Sequence, residues 1–148
     1  MYIKFMKTIT SILILISLSV FNLYSEEANE FNPDLNYAQV EFVKAVQSSN
    51  NAWTFYVTVL HNDEGWNHYA DLWEVIDPES GEVFAERVLA HPHETEQPFT
   101  RSQSRIFFPE GQRFVEVRAK CQIHGFEGKT VLVDLESDEG DYYKVILK

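Results

Sequence analysis

From Ala38 onward, apolar and polar residues alternate with period two along almost the whole chain. Successive side chains of a strand point to opposite faces, so this alternation predicts half-buried strands and leaves no room for an amphipathic helix. Residues 52–61 show it best. Trp53, Phe55, Val57, Val59 and His61 fall on one face, and Ala52, Thr54, Tyr56, Thr58 and Leu60 on the other. Aromatic and β-branched residues of this kind suit a pleated surface. The same reading gives candidate strands over 38–46, 52–61, 68–77, 82–90, 103–108, 112–121 and 129–136, with a short last strand over 142–147.

Turn chemistry punctuates these segments. Pro78-Glu79-Ser80-Gly81, Pro109-Glu110-Gly111 and the run from His124 to Gly128 break the alternation, and the acidic stretch 137–141 reads as a loop. About seven short strands with turns every ten residues or so predict an all-β fold, an immunoglobulin-like and more specifically fibronectin-III-like antiparallel β-sandwich. Trp73 in the third strand fits that picture, while the paired cysteines and tyrosine corner of true immunoglobulin domains are missing.

The N-terminal residues follow a different pattern. Lys4 and Lys7 precede an apolar run from Ile9 to Phe21, interrupted only by Thr10, Ser11, Ser17 and Ser19. That is the pattern of a secretory signal peptide over residues 1–25, and the run is shorter than the roughly 20 residues that span a bilayer. A polar linker follows over 26–36, then one domain over 37–148. A periplasmic or secreted location is expected, with no stable membrane anchor after signal cleavage. The chain's one cysteine, Cys121, is far from the leader and is not placed for acylation. A single cysteine also excludes an internal disulfide, so packing has to hold the domain together. Cys121 is in phase with Val115, Val117 and Ala119 and reads as buried, with a ligand role as the alternative.

Charge narrows the partners. The formal net charge is −11, and a surface of that sign repels phosphate backbones and anionic lipid, which argues against nucleic acid. Cations are the natural small partners, although acidity by itself also keeps an exported protein soluble.

The stretches GWNHYADLWEVIDPESGEVFAERVLAHPHETEQPFTRS and VEVRAKCQIHGFEGKTVLVDL resemble a group of small exported bacterial proteins that is itself uncharacterised. The similarity extends over about residues 38–147. It implies a secreted β-sandwich and no particular chemistry.

Alternating strand directions place the loops after the second, fourth and sixth strands at one end of the sandwich. All five histidines map there: His61 and His68 flank the first of these loops, His91 and His93 open the second, and His124 lies in the third. Neutral imidazole is a ligand for first-row metals, and His91 and His93, one residue apart in an extended segment, are expected to point the same way and chelate copper or zinc. His61, His68 and His124 are candidates to complete the set, with Asp63, Glu94 or Glu96 as oxygen ligands or acceptors behind them. Packing and polar networks are the competing use of the same histidines, and His61 in particular is in phase with the apolar face. Arg101 is expected to pair with Glu94, Glu96 or Asp71 and pin the loop from His91 to Ser102, unless it receives a ligand carboxylate.

Two other functions remain open at this stage. A metal-free module recognising a protein, peptide or glycan would use Trp66, Tyr69 and Arg101 at the same end. Catalysis is the weaker reading. Ser102 or Ser104 can be written into a triad only without the strained turn that exposes such a serine, and a Cys121–His124 nucleophile pair conflicts with a buried thiol.

Overall fold

The structure is a computed structural model that describes residues 34–148. The expected signal peptide and most of the expected linker, residues 26–33, lie outside the described residues. Among the described residues nine strands form: β1 (Gln39–Gln47), β2 (Trp53–Leu60), β3 (Ala70–Ile76), β4 (Val83–Val88), β5 (Phe99–Ile106), β6 (Phe114–Cys121), β7 (Val131–Asp134), β8 (Glu139–Gly140) and β9 (Tyr143–Ile146). They build one sheet in the order β5-β2-β1-β9-β8 and a second in the order β4-β3-β6-β7. The described fold is an all-β, two-sheet sandwich.

Side-chain alternation explains how the sheets pair. In β2, Trp53, Phe55, Val57 and Val59 are buried while the residues between them are half-buried or exposed. In β6, Val115, Val117, Ala119 and Cys121 alternate with Glu116, Arg118 and Lys120 in the same way. The inward faces meet in one core whose largest fully buried side chains are Trp73, Phe55 and Phe99. Burial of side chains this size stabilises by about 1.5–3 kcal/mol each, so three of them anchor the sandwich without a disulfide.

Three sequence expectations need correction. The fifth strand begins at Phe99, not at 103, so Thr100, Arg101 and Ser102 pair with Thr58, Val57 and Tyr56 of β2 instead of lying in a loop. Their polarity hid the strand, because β5 is an edge whose outer face is exposed. The stretch 137–141 contains the two-residue strand β8, too short to show a period. The sandwich is not wholly antiparallel either. β9 runs parallel to β1, pairing Val43 with Tyr143 and Val46 with Ile146.

The connections after β2 and β4, which cross between the sheets, and the turn from β6 to β7 within one sheet make up one pole together with the segment entering β1. Backbone bonds tie the pole together: Asn62 N–H to Leu35 O at 2.8 Å, Leu89 N–H to Asp71 O at 2.9 Å and Val40 N–H to Lys129 O at 2.9 Å. Gly128 permits the last contact, since a Cβ there would fall 1.9 Å from the carbonyl oxygen of Ala38.

Candidate functional site

The segment 34–37 closes the pole and delivers a backbone carbonyl into it. Fully buried Gln39 holds that segment, its Nε2 donating to Asp34 O at 3.2 Å and Tyr37 O at 3.3 Å while its Oε1 accepts from the amide of Lys129 at 2.7 Å. The carbonyl of Asn36 is thereby fixed as an acceptor for three side chains from two loops. His61 Nε2 lies 3.0 Å away, His124 Nδ1 3.0 Å away and the Cys121 thiol 3.5 Å away.

His61 directly follows β2 and its ring is buried, only 1% exposed. Its Nδ1–H donates to Asp63 Oδ1 at 2.6 Å, and both side chains are fully buried. Its Nε2 faces the Asn36 carbonyl, and a metal at Nε2 would displace that contact. Asp63 has two further donors, the amide of Ala70 to Oδ1 at 3.0 Å and the amide of His93 to Oδ2 at 2.6 Å. Burial pushes its carboxyl pKa up, but the bonds from His61, His93 and Ala70 outweigh burial and hold it below the usual carboxylate value.

His68 repeats the arrangement from the other side of the loop. Its Nδ1–H donates to Glu64 Oε2 at 3.0 Å, which leaves the lone pair on Nε2. That Nε2 is buried and has no hydrogen-bond partner. The His68 ring meets His61 edge-on at 4.8 Å and His124 at 5.1 Å. A carboxylate on Nδ1 that leaves Nε2 free is how proteins orient a histidine toward a metal; His68 has that arrangement in full, while His61 has the carboxylate and keeps its Nε2 against the Asn36 carbonyl.

Cys121 completes the group. A three-residue turn closed by Gly125 at φ 67° folds His124 back over the end of β6. The His124 amide donates to Cys121 Sγ at 3.3 Å, and His124 Nδ1 lies 3.4 Å from the same sulfur. The ligand-capable atoms of His61, His68 and Cys121 all lie within 4.8 Å of one another, and all three residues are buried. Donors bound at 2.0–2.3 Å around one ion sit about 3.3–3.8 Å apart, so a modest inward movement would bring the three onto a common ion.

The structure treats the expected His91–His93 chelate differently. The rings are neighbours, with centroids 4.5 Å apart, and the buried Nδ1 of His93 has no hydrogen-bond partner, but neither histidine belongs to the group of three mutually close ligand atoms found among the described residues. His93 is buried and stacked on Phe99 at 3.8 Å, and its Nε2 accepts from Arg101 at 2.8 Å. Burial first, then the Arg101 and His91 side chains beside it, pulls the His93 pKa below its usual value. His91 is exposed, with Nδ1 against the carbonyl of Pro92 at 3.1 Å. The physical reason is the capture of the His93 amide by Asp63, which turns this residue inward.

Arg101 pairs with Glu96 at 3.2 Å and bonds His93, forming a latch from β5 to the preceding loop. Its other expected partners are placed elsewhere: Asp71 binds Lys120 at 2.8 Å, and Glu94 is exposed. Trp66 is 67% exposed and meets the buried Tyr69 edge-on at 6.0 Å. Ser102 and Ser104 are exposed on β5. The residues that sequence reasoning missed are Asn36, Gln39 and Glu64, together with Gln97, whose side chain accepts from the His61 amide at 3.2 Å and donates to His93 O at 3.1 Å. A backbone carbonyl carries no sequence signature. Glu64, four residues before His68, did carry one.

Comparison with known proteins adds one relative. A protein of Halomicrobium mukohataei named "Putative lipoprotein" is 39% identical over 113 residues, which are 76% of this chain and 55% of that protein. The chain thus spans about half the length of the relative it matches. No family model and no solved structure matches the chain.

Proposed function

We propose that this is an exported β-sandwich protein that binds one first-row transition metal ion, copper or zinc, at its histidine-rich pole through His61, His68 and Cys121. The observation that carries this reading is the buried Nε2 of His68, which has no partner although its ring is held by Glu64 and lies among other ligand-capable atoms. A buried polar atom left unpaired costs about 1–3 kcal/mol, and a bound ion would remove that cost. Two imidazoles and a thiolate favour copper or zinc over magnesium or calcium, which take oxygen ligands. His124 is a hydrogen-bonding neighbour at the edge of the set. His91 and His93 belong in this reading to the wall of the pole, with Arg101, Glu96 and Asp63 holding that wall in place.

Two further parts of the reading rest on the same supports. The first, second and fifth strands share one sheet, and the third, fourth, sixth and seventh share the other, which supports a fibronectin-III-like assignment among sandwiches. Export is supported by the leader-like pattern of residues 1–25 and by the name of the Halomicrobium mukohataei relative. Cys121, buried at the end of β6, is not a lipid acceptor.

Metal titration of chelator-treated protein tests the proposal. Wild type should take up about one zinc or copper ion per chain, His68→Ala should lose that uptake while keeping its circular dichroism, and His91→Ala should retain it. Equal uptake by wild type and His68→Ala, or loss on His91→Ala alone, would move the site away from the buried cluster.

A further inference from the structure

The three candidate ligands are enclosed. His61, His68 and Cys121 are each less than a tenth exposed, whereas a hydrolytic metal site keeps a position open for water. Holding the ion or passing an electron through it are the tasks that such a closed site can perform. Three features favour the second.

The donor set is one. Two imidazoles and one thiolate beside a backbone carbonyl are the set that copper uses for electron transfer, the carbonyl serving as a weak and distant fourth ligand. Here the carbonyl is that of Asn36, already 3.0 Å from His61 Nε2 and 3.5 Å from Cys121 Sγ. The surroundings of the sulfur are the second. It receives the His124 amide at 3.3 Å and is flanked by buried Ala70 and Ala119, and both hydrogen bonding and apolar packing at the thiolate tune a copper potential. The third is a route outward. His124 is the half-buried ring of the cluster, 3.4 Å from the sulfur, and the next residue toward its turn, Ile123, is exposed.

Resting on the metal-binding reading above, we infer that the pole is a one-electron copper site, with His61, His68 and Cys121 as strong ligands, the Asn36 carbonyl as the weak one, and His124 as the path to solvent. Loading forms the Cu–N bonds from the Nε2 lone pairs of the two imidazoles and the Cu–S bond from the Cys121 thiolate, whose thiol proton is released to water. In turnover Cu(II) accepts one electron from an outer-sphere one-electron donor to give Cu(I), and returns it to an outer-sphere acceptor. No covalent bond to the donor forms. Asp63 and Glu64 hold the two imidazoles by their far nitrogens, so the ligand frame stays put in both oxidation states.

The test is optical and redox, using the full chain loaded with Cu(II). An intense visible band from thiolate-to-copper charge transfer should appear at one copper per chain. One electron equivalent of ascorbate should bleach it, and ferricyanide should restore it over repeated cycles. Cys121→Ser should lose the band, and His91→Ala should keep it. Bound copper without the band, or a band that decays irreversibly on cycling, overturns the redox inference and leaves metal binding standing. Failure of wild type to bind either copper or zinc overturns both.

Discussion

Replacing Asp63 by Asn tests the polar frame of the pole with almost no change of shape. The carboxylate accepts three bonds from three parts of the chain: the His61 ring at 2.6 Å, the Ala70 amide at 3.0 Å and the His93 amide at 2.6 Å. An amide side chain offers one oxygen. If that oxygen takes the place of Oδ1, the His61 and Ala70 bonds survive without their charge, and the new NH2 faces the His93 amide, donor against donor. If it takes the place of Oδ2, two donors are left facing the NH2. A buried donor left unsatisfied costs about 1–3 kcal/mol, and charge-assisted bonds are worth about twice their neutral counterparts. Removing one partner of a buried ion pair costs about 3–5 kcal/mol in comparable settings, and the three-bond count leads to the same range. Urea unfolding with chelator present reads this directly. At a slope of about 2 kcal/mol/M, the midpoint should fall by roughly 1.5–2.5 M with an unchanged slope. Asp71→Asn, which breaks a partly exposed pair with Lys120, is the control and should cost no more than about 1 kcal/mol. An Asp63→Asn midpoint within about 0.5 M of wild type would refute the assignment of Asp63 as the tie between the loops.

Three further outcomes follow from the same geometry. Glu64→Gln removes the carboxylate behind His68 and should weaken metal affinity by about 10–100-fold while leaving stability of the apo chain nearly unchanged, measured by competition with a chromogenic chelator. The depressed His93 pKa means that the unfolded chain takes up a proton near pH 6.5 while the folded chain does not. Apo stability should therefore be fully present above pH 6.5 and fall as the pH drops below it, and His93→Gln should flatten that slope in denaturant series at several pH values. Gly128→Ala drives a methyl group against the Ala38 carbonyl and should destabilise by about 1–3 kcal/mol, with segment 34–37 losing amide exchange protection first.

The strands were legible because burial on one face imposes period two, and Trp53 to Val59 or Val115 to Cys121 can be assigned to the core from spacing alone. Where a strand lies at an edge, as Thr100 to Ser102 do, both faces tolerate polar residues and the period fades. The parallel pairing of β9 with β1 is a long-range choice that no local pattern encodes. The pole was legible for a topological reason, since strand direction alone collects His61, His68, His91, His93 and His124 at one end. Which of them converge was not. The phase of His61 and Cys121 marked both as buried, and burial was read as competing with a ligand role, whereas in this structure the group with mutually close ligand atoms is the buried one. The one-residue spacing of His91 and His93 brings their rings together, but spacing does not encode the bond from the His93 amide to Asp63 or the stacking of the His93 ring on Phe99.

X-ray absorption at the metal edge of zinc- or copper-loaded protein tests the central claim most directly, because it reports the ligand atoms themselves. The account requires one sulfur at about 2.3 Å and two nitrogens at about 2.0–2.1 Å per ion, with the sulfur lost in Cys121→Ser. A shell of nitrogen and oxygen alone in the wild-type protein would contradict it.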